Sequence, residues 1–161
     1  MEATHQPSLL EVQRGIQSAE IRRGLSRAHV YNLEGDLVAA RLAVFHTIAL
    51  AGISIRFAKL SPTAISFLGE SGAFASLRSA LAPLNVEVTV QDDCAMVEVA
   101  AVNIRDEEGL LAQVLARAFA SGIQILHIGD SHDRVFFVVH EADAERLKAA
   151  LDAAKEVRHA D

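Results

Sequence analysis

The chain has 161 residues, of which 51% are hydrophobic and 22% are charged, so it can bury a core and is too apolar to be disordered. No apolar run reaches the length of a membrane span, the first ten residues lack the pattern of a secretion signal, and one cysteine excludes an internal disulfide framework. Because the net charge is −6 and aromatic residues are few, we expect a cytoplasmic protein with no membrane or nucleic-acid partner.

The first half of the chain begins with a segment, residues 1–24, whose stretch LLEVQRGI predicts a strand at about residues 10–16. Residues 25–92 then predict the order strand, helix, strand, strand, helix, strand. The expected elements span residues 29–33, 37–51, 53–59, 64–69, 73–81 and 86–90. Pro83 ends the second of these helices, because proline cannot continue helical hydrogen bonding.

Residues 93–161 predict the same order again, starting with the strand AMVEVAAV at residues 95–102. Asp106 can cap the helix that follows, and Gly122 can end it in the left-handed conformation. The apolar stripe of that helix consists of Leu110, Leu111, Val114, Leu115, Ala118 and Phe119. A hairpin of residues 123–128 and 134–139 encloses the turn GDSHD, and a last helix spans residues 142–155.

The two halves are an internal repeat, because they align without a gap when one is shifted by 70 positions. The identical pairs include Asp36 with Asp106, Val44 with Val114, Gly52 with Gly122, Phe67 with Phe137 and Leu77 with Leu147. Each half has the strand order of a ferredoxin-like βαββαβ unit. Only VRHAD follows the last helix, so the second unit has no fourth strand of its own. We therefore predict an α+β fold of two such units in tandem, with the N-terminal strand completing the second.

An acidic-glycine loop, a helix, a GIxI motif and a hairpin together resemble the ACT domain, a small regulatory module that binds amino acids. The stretches VEVTVQDDCAMVEVAAV, DEEG and IQILHIGDSHDRVFFVV are similar to the paired ACT region at the C-terminus of aspartokinases. In that family the first strand of the region completes the second unit. The chain resembles the free regulatory subunit of some aspartokinases, which implies a protein that is not an enzyme and needs no cofactor.

The resemblance implies an effector site where the acidic-glycine loop of one unit meets the second strand of a neighbour. In the second unit the candidates are Asp106, Glu107, Glu108 and Gly109, with Gln124, Leu126 and Ser131 facing them. Backbone N–H groups at a helix start bind a carboxylate, and an acidic side chain can bind the ammonium. The alternative is that Asp106 only caps the helix and Gly109 only eases packing.

The first unit departs from the family pattern at its own candidates, Asp36, Ala39, Ser54 and Arg56. Ala39 stands where the family has glycine, and Arg56 replaces an aspartate. The changed charge favours an anionic ligand or none at this site, and the alternative is that Arg56 lies on a solvated strand face.

Other chemistry-bearing residues do not form a convincing site. His127, Asp130, His132 and Asp133 are zinc-ligand types, but a hairpin turn accounts for that composition, so we expect no metal. Cys94 follows two carboxylates, which should raise the pKa of its thiol and suppress its reactivity. No nucleophile and base form a catalytic constellation, so we expect no catalytic residue.

Two functions from different classes remain open. The first is a regulatory protein that binds an amino acid or similar small effector and modulates a separate enzyme subunit of aspartate-family biosynthesis. The second is an ACT-type dimerisation module whose effector sites have decayed. The strand of residues 135–139, VFFVV, is apolar at every position, so both of its faces require burial. From this strand we predict a homodimer with an apolar interface.

Overall fold

The computed structural model describes residues 15–102, 109–130 and 133–156. Its six strands are β1 (Gly15–Tyr31), β2 (Phe57–Leu60), β3 (Ala64–Glu70), β4 (Glu87–Val102), β5 (His127–Asp130) and β6 (Arg134–His140). Its four α-helices are α1 (Leu37–Leu50), α2 (Leu77–Leu81), α3 (Leu110–Ala120) and α4 (Ala144–Glu156). None of the helices in these ranges has the length and hydrophobicity needed to cross a bilayer.

All six strands form one antiparallel sheet in the order β2-β3-β1-β4-β6-β5. The end of β1 pairs with β3 and with the beginning of β4, whereas the beginning of β1 pairs with the end of β4. The sheet therefore consists of two four-stranded ferredoxin-like halves, and β1 and β4 run through both of them. We call the half that contains β2 and β3 the first unit, and the half that contains β5 and β6 the second unit.

The N-terminal strand completes the second unit, as predicted, because Ile16 pairs with Ala101 and Ile21 with Val97. Residues 10–14 of the predicted strand lie outside the described residues. The prediction of a separate strand at residues 29–33 is wrong, because residues 29–31 are the end of the 17-residue β1 and residues 32–33 follow it. The strands predicted at residues 86–90 and 95–102 are likewise one strand, β4.

The long strands bend where their pairing passes from one unit to the other. Gly24 and Asp93 have positive φ angles of 70° and 56°, and the register of β1 on β4 shifts on both sides of Leu25. Such irregularities bend a strand and increase its twist. The unit boundaries expected at residues 24/25 and 92/93 fall at this bend and stay a prediction.

Three elements begin four residues later than the sequence predicts. The strands β2 and β5 begin at Phe57 and His127, because Ile53 and Ile123 are buried just after the preceding helices. The Ile53 N–H donates to the carbonyl of Ile48 at the end of α1, so it makes a helix-end hydrogen bond instead of a ladder bond. The helix α2 begins at Leu77, after a series of turns over residues 71–76.

Five of the residue pairs that are identical in the repeat lie in the two helix-facing cores. The first core contains Val44, Ile53, Phe67, Leu77 and Leu81, and the second contains Val114, Ile123, Phe137, Leu147 and Leu151. All ten side chains are buried. The repeat therefore encodes the same packing twice.

Leu111 and Phe119 belong to the predicted apolar stripe of α3, but both side chains are exposed, Phe119 by 60%.

A third core closes the other face of the sheet within the same chain. Leu25, Leu68, Cys94, Met96 and Val138 are buried there, with Phe57, Leu126 and Phe136 packed against them. In β6, Val135, Phe137 and Val139 belong to the second core, and Val138 belongs to this third one. A second copy is therefore not needed to cover this strand, and that reason for a homodimer is wrong.

The large exposed apolar side chains of the helices are Val38, Leu42 and Leu50 of α1 and Leu111 and Phe119 of α3.

Candidate functional site

The loop before α1 is a capped helix start. The Oδ1 atom of Asp36 accepts a hydrogen bond from the backbone N–H of Ala39 at 2.8 Å. Asp36 and Ala39 are both exposed. Because the side chain already binds the Ala39 N–H, this donor is not free for the carboxylate of a ligand. In the first unit the structure thus supports a capping role for Asp36.

Replacing Asp36 with alanine is expected to lower the free energy of unfolding by about 1 kcal/mol, the usual cost of losing a helix N-cap. Urea unfolding of wild type and Asp36→Ala at equal protein concentration would measure this difference. An Asp36→Asn variant, which retains a capping oxygen, should remain close to wild type. A loss of amino-acid binding without a loss of stability in Asp36→Ala would contradict a purely capping role.

The loop before α3 is built differently. Gly109 has a φ of +79° and lies at the N-cap position, and no side chain of its own caps the helix. A Cβ atom at Gly109 would have only the Nε2 atom of Gln113 near it, at 4.0 Å, so the space beside the loop is open. Asp106, Glu107 and Glu108 lie outside the described residues. Gly109 therefore places an open backbone segment at the positive end of an eleven-residue helix.

The candidates at the second strands have different surroundings. Ser54 and Gln124 are exposed. Leu126 packs into the third core instead of facing solvent, and its N–H donates to the carbonyl of Val138 at 2.8 Å. Arg56 forms an ion pair with Glu70, so its charge is already partnered. Ser131 lies outside the described residues.

A single copy of the chain does not bring the predicted halves of either site together. Gly109 precedes α3 and Gln124 follows it, so about 16 Å of helix separates them at 1.5 Å per residue. Ala39 lies in the first turn of α1 and Ser54 follows that helix, which is three residues longer than α3. Each loop can therefore meet a second strand only on a neighbouring unit.

Sequence reasoning missed a contact between the two units at repeat-equivalent positions. The rings of Phe57 in β2 and His127 in β5, which are 70 positions apart, lie 4.7 Å apart between their centroids. Phe136 packs edge-on against Phe57 at 5.4 Å, and Leu68 and Val138, another equivalent pair, are both in the third core. The two edge strands of the sheet thus approach each other. The sequence shows that Phe57 and His127 occupy equivalent positions of the repeat, but it does not show that their rings are in contact.

His127 is held neutral in this contact. Its Nε2 atom is buried and has no hydrogen-bond partner among the described residues, and burial, together with the charges of Lys59 and Arg27, lowers the pKa of His127 to about 4. In the described part of the chain no group of three or more His, Cys, Asp or Glu residues could hold a metal ion. His132, one of the zinc-ligand types in the turn, lies outside the described residues.

Cys94 is buried in the third core. Burial is the main cause that raises the pKa of its thiol, and the charges of Asp92 and Asp93 contribute less. The sequence had assigned this rise to the two carboxylates. A thiol in such surroundings has little thiolate character and is a packing residue.

Beside the Phe57–Phe136 contact lies an open cleft of about 240 Å³ between the two units, on the sheet face that carries no helices. We call it the inter-unit cleft. It is lined by Arg22, Arg56, Phe57, Leu68, Met96, Glu98, Arg134 and Phe136. Of these residues the sequence singled out Arg56 alone, because the others lie on strand faces that pattern alone assigns to solvent or to a second chain.

The chain is similar to part of an aspartokinase in sequence and to aspartate kinase regulatory subunits in fold. No family model matches the chain. Aspartokinase 1 of Bacillus subtilis (strain 168) is 27% identical over 137 residues, which are 81% of this chain and 33% of Aspartokinase 1. The chain thus spans about a third of the length of this curated relative.

Solved structures match over most of the chain. The ligand-free regulatory subunit of aspartate kinase from Thermus thermophilus has a TM-score of 0.77 and 17% identity, over 88% of this chain and 98% of that subunit. The regulatory subunit from Thermus flavus gives 0.75 and 18%, over 89% and 100%. E. coli aspartokinase III in complex with aspartate and ADP gives 0.70 and 21%, over 86% and 33%. The predicted tandem ACT arrangement is therefore confirmed, and the chain has the fold of the regulatory subunits of aspartate kinase.

Proposed function

We propose that this chain is a non-catalytic regulatory protein that binds an amino acid or similar small effector and modulates a separate enzyme subunit in aspartate-family amino-acid biosynthesis. The fold supports this proposal, because the match extends over nearly the whole of the Thermus thermophilus regulatory subunit. The nature of the effector is supported by a solved structure of E. coli aspartokinase III in complex with lysine and aspartate, whose similarity to the chain has a TM-score of 0.68.

The observation that carries the proposal is the Gly109 loop. Its glycine is left-handed, the space beside it is open, and no side chain among the described residues binds the first N–H groups of α3. Free N–H groups at the positive end of a helix bind a carboxylate. The corresponding loop of the first unit lacks this property, because Asp36 already binds the Ala39 N–H. We therefore assign the effector carboxylate to the loop of the second unit.

The site is completed by a second copy of the chain. The Gly109 loop and the candidates Gln124 and Leu126 lie beyond opposite ends of α3, so the facing strand has to come from a neighbouring unit. The exposed apolar side chains of α1 and α3, among them Leu42 and Phe119, supply a surface for such a homodimer. Sedimentation at micromolar concentration tests this: a wild-type dimer and a weakened dimer in Leu42→Glu are expected, and a wild-type monomer would contradict it.

Replacing Gly109 with leucine is expected to abolish stabilisation by the effector while the fold persists. A Cβ atom strains the left-handed backbone by about 1–2 kcal/mol and occupies the space that the carboxylate needs. The measurement is thermal melting of the full chain against the twenty amino acids. A ligand at one hundred times its dissociation constant stabilises the wild type by about 2.7 kcal/mol.

Gly35→Leu is the matched control for this variant. Gly35 has a similar φ of +75°, nothing lies within 4 Å of its Cβ position, and it precedes Asp36 in the first unit. The strain of the two variants is therefore comparable, and only Gly109→Leu should lose the response. If Gly35→Leu loses the response and Gly109→Leu keeps it, the effector binds the first unit and the assignment is wrong.

The alternative is an ACT-type dimerisation module with decayed effector sites. The first unit favours it, because Arg56 is paired with Glu70 and the Ala39 N–H is bound by Asp36. A wild-type chain that is dimeric and that none of the twenty amino acids stabilises would support this alternative over the regulatory proposal.

A further inference from the structure

The inter-unit cleft has a preformed apolar floor. Leu68 and Met96 are 3% and 8% exposed, and Phe57 and Phe136 are locked edge to face. The ring of Phe136 lies over Gly129, where a Cβ atom would come within 2.1 Å of its Cζ atom. Packing from both sides thus fixes the floor before any ligand arrives, as is usual for small-molecule sites.

The rim of the cleft is charged, and most of its charges are paired. Arg56 forms an ion pair with Glu70, and Arg134 forms one with Glu98. Arg22, which also lines the cleft, has no hydrogen bond or ion pair to any residue that the structure describes. One guanidinium therefore remains at the rim without a partner among the described residues.

A carboxylate without a hydrogen bond in the described ranges lies beside Arg22. Glu20 is directly opposite Glu98 in the pairing of β1 with β4, and like charges in that arrangement repel each other. Arg134 bonds Glu98 and also attracts the charge of Glu20, which itself makes no hydrogen bond to a described residue. Glu20 and Arg22 are two positions apart on one strand face, about 7 Å along the strand.

We propose that the inter-unit cleft binds an α-amino acid with an apolar side chain. The ligand carboxylate is bound by Arg22, its ammonium lies between Glu20 and Glu98, and its side chain covers Phe57, Met96 and Phe136. The free volume of about 240 Å³ equals that of about eight water molecules in the liquid, which suits a single amino acid. Every contact comes from one copy of the chain, so this site is separate from the Gly109 loop and does not rest on the proposed effector function.

Calorimetric titration of the full chain with three probes tests the proposal. L-Phenylalanine carries both charges, 3-phenylpropionate only the carboxylate, and 2-phenylethylamine only the ammonium. L-Phenylalanine is expected to bind most tightly. Arg22→Gln and Glu20→Gln are each expected to weaken its binding by about tenfold or more, since each loses a charge-assisted hydrogen bond.

Two further variants distinguish binding in the cleft from a general effect of net charge and from binding at the Gly109 loop. Arg146→Gln removes the same charge as Arg22→Gln, but Arg146 lies on α4, outside the cleft, where it pairs with Asp143. This variant should leave binding unchanged. Gly109→Leu should also leave L-phenylalanine binding unchanged.

Three outcomes would overturn the proposal. L-Phenylalanine does not bind at about 10 mM; 3-phenylpropionate binds as tightly and Glu20→Gln has no effect; or Gly109→Leu abolishes binding and Arg22→Gln does not. The last outcome would leave the proposed effector function intact.

Discussion

Replacing Phe137 with alanine is expected to lower the free energy of unfolding by about 3–5 kcal/mol, and to destabilise both units together. Phe137 is fully buried in the second core, where its loss leaves a cavity. The strands β1 and β4 each belong to both units, so unfolding of the second unit removes the continuation of the two strands that the first unit shares with it. The chain is therefore expected to unfold in one cooperative transition.

Two probes of urea unfolding measure this coupling. Far-UV circular dichroism reports on the whole chain, and the fluorescence of Tyr31, the single tyrosine of a chain without tryptophan, reports on the first unit. Phe137→Ala should move both transitions to the same lower urea concentration. The repeat-equivalent Phe67→Ala, in the first core, is the matched variant and should do the same. A Tyr31 transition that stays at its wild-type position in Phe137→Ala would show that the units unfold independently.

Acidification from pH 6.5 to pH 4 is expected to lower the free energy of unfolding through His127 by roughly 1–2 kcal/mol, because solvent screening at a half-buried ring reduces the full linkage value of about 3 kcal/mol. Burial lowers the pKa of His127 from 6.5 to about 4 in the folded chain, and its Nε2 atom has no partner among the described residues. The unfolded state therefore binds a proton at a higher pH than the folded state. The stabilising contribution is complete above pH 6.5 and is lost as the pH falls towards 4.

His127→Leu tests this contribution, because leucine has a similar volume and cannot be protonated. Urea unfolding of both proteins at several pH values should give a flatter stability curve for the variant between pH 6.5 and pH 4. Some dependence should remain, since burial and the charge of Arg27 also lower the pKa of His29. Equal slopes for wild type and variant would show that His127 is not buried as the structure has it.

The inter-unit contact also links these predictions to the proposed sites. His127 lies against Phe57, and Phe57 forms part of the floor of the inter-unit cleft. Protonation of His127 would place a charge next to Arg27 and Lys59 and weaken the packing that fixes this floor. The contact between His127 and Phe57 thus joins the two units and also supports the floor of the inter-unit cleft.

Local pattern was sufficient for the repeated parts of the fold. The equivalent pairs Val44 with Val114 and Phe67 with Phe137 are buried as their spacing predicts, because each lies on the inward face of a regular helix or strand. The count of strands was sufficient to place the N-terminal strand in the second unit. For the candidate site, the acidic-glycine pattern located Gly109 at the start of a helix, and the structure adds that this glycine is left-handed.

Only the tertiary structure decided how the two units meet. Two features join residues that are far apart in the chain: β1 pairs along the whole of β4, and Phe57 contacts His127. Sequence periodicity does not predict them, because it relates only residues of the same helix or strand. For the same reason the sequence assigned part of the cover of residues 135–139 to a second chain, whereas Val138 packs in the third core of its own chain. It also placed Phe119 in a core, because an apolar stripe does not reveal how wide a helix face the partner covers. The cleft floor joins Phe57 and Leu68 of the first unit to Met96 and Phe136 of the second, and the bend at Gly24 and Asp93 lies between these two parts of the sheet.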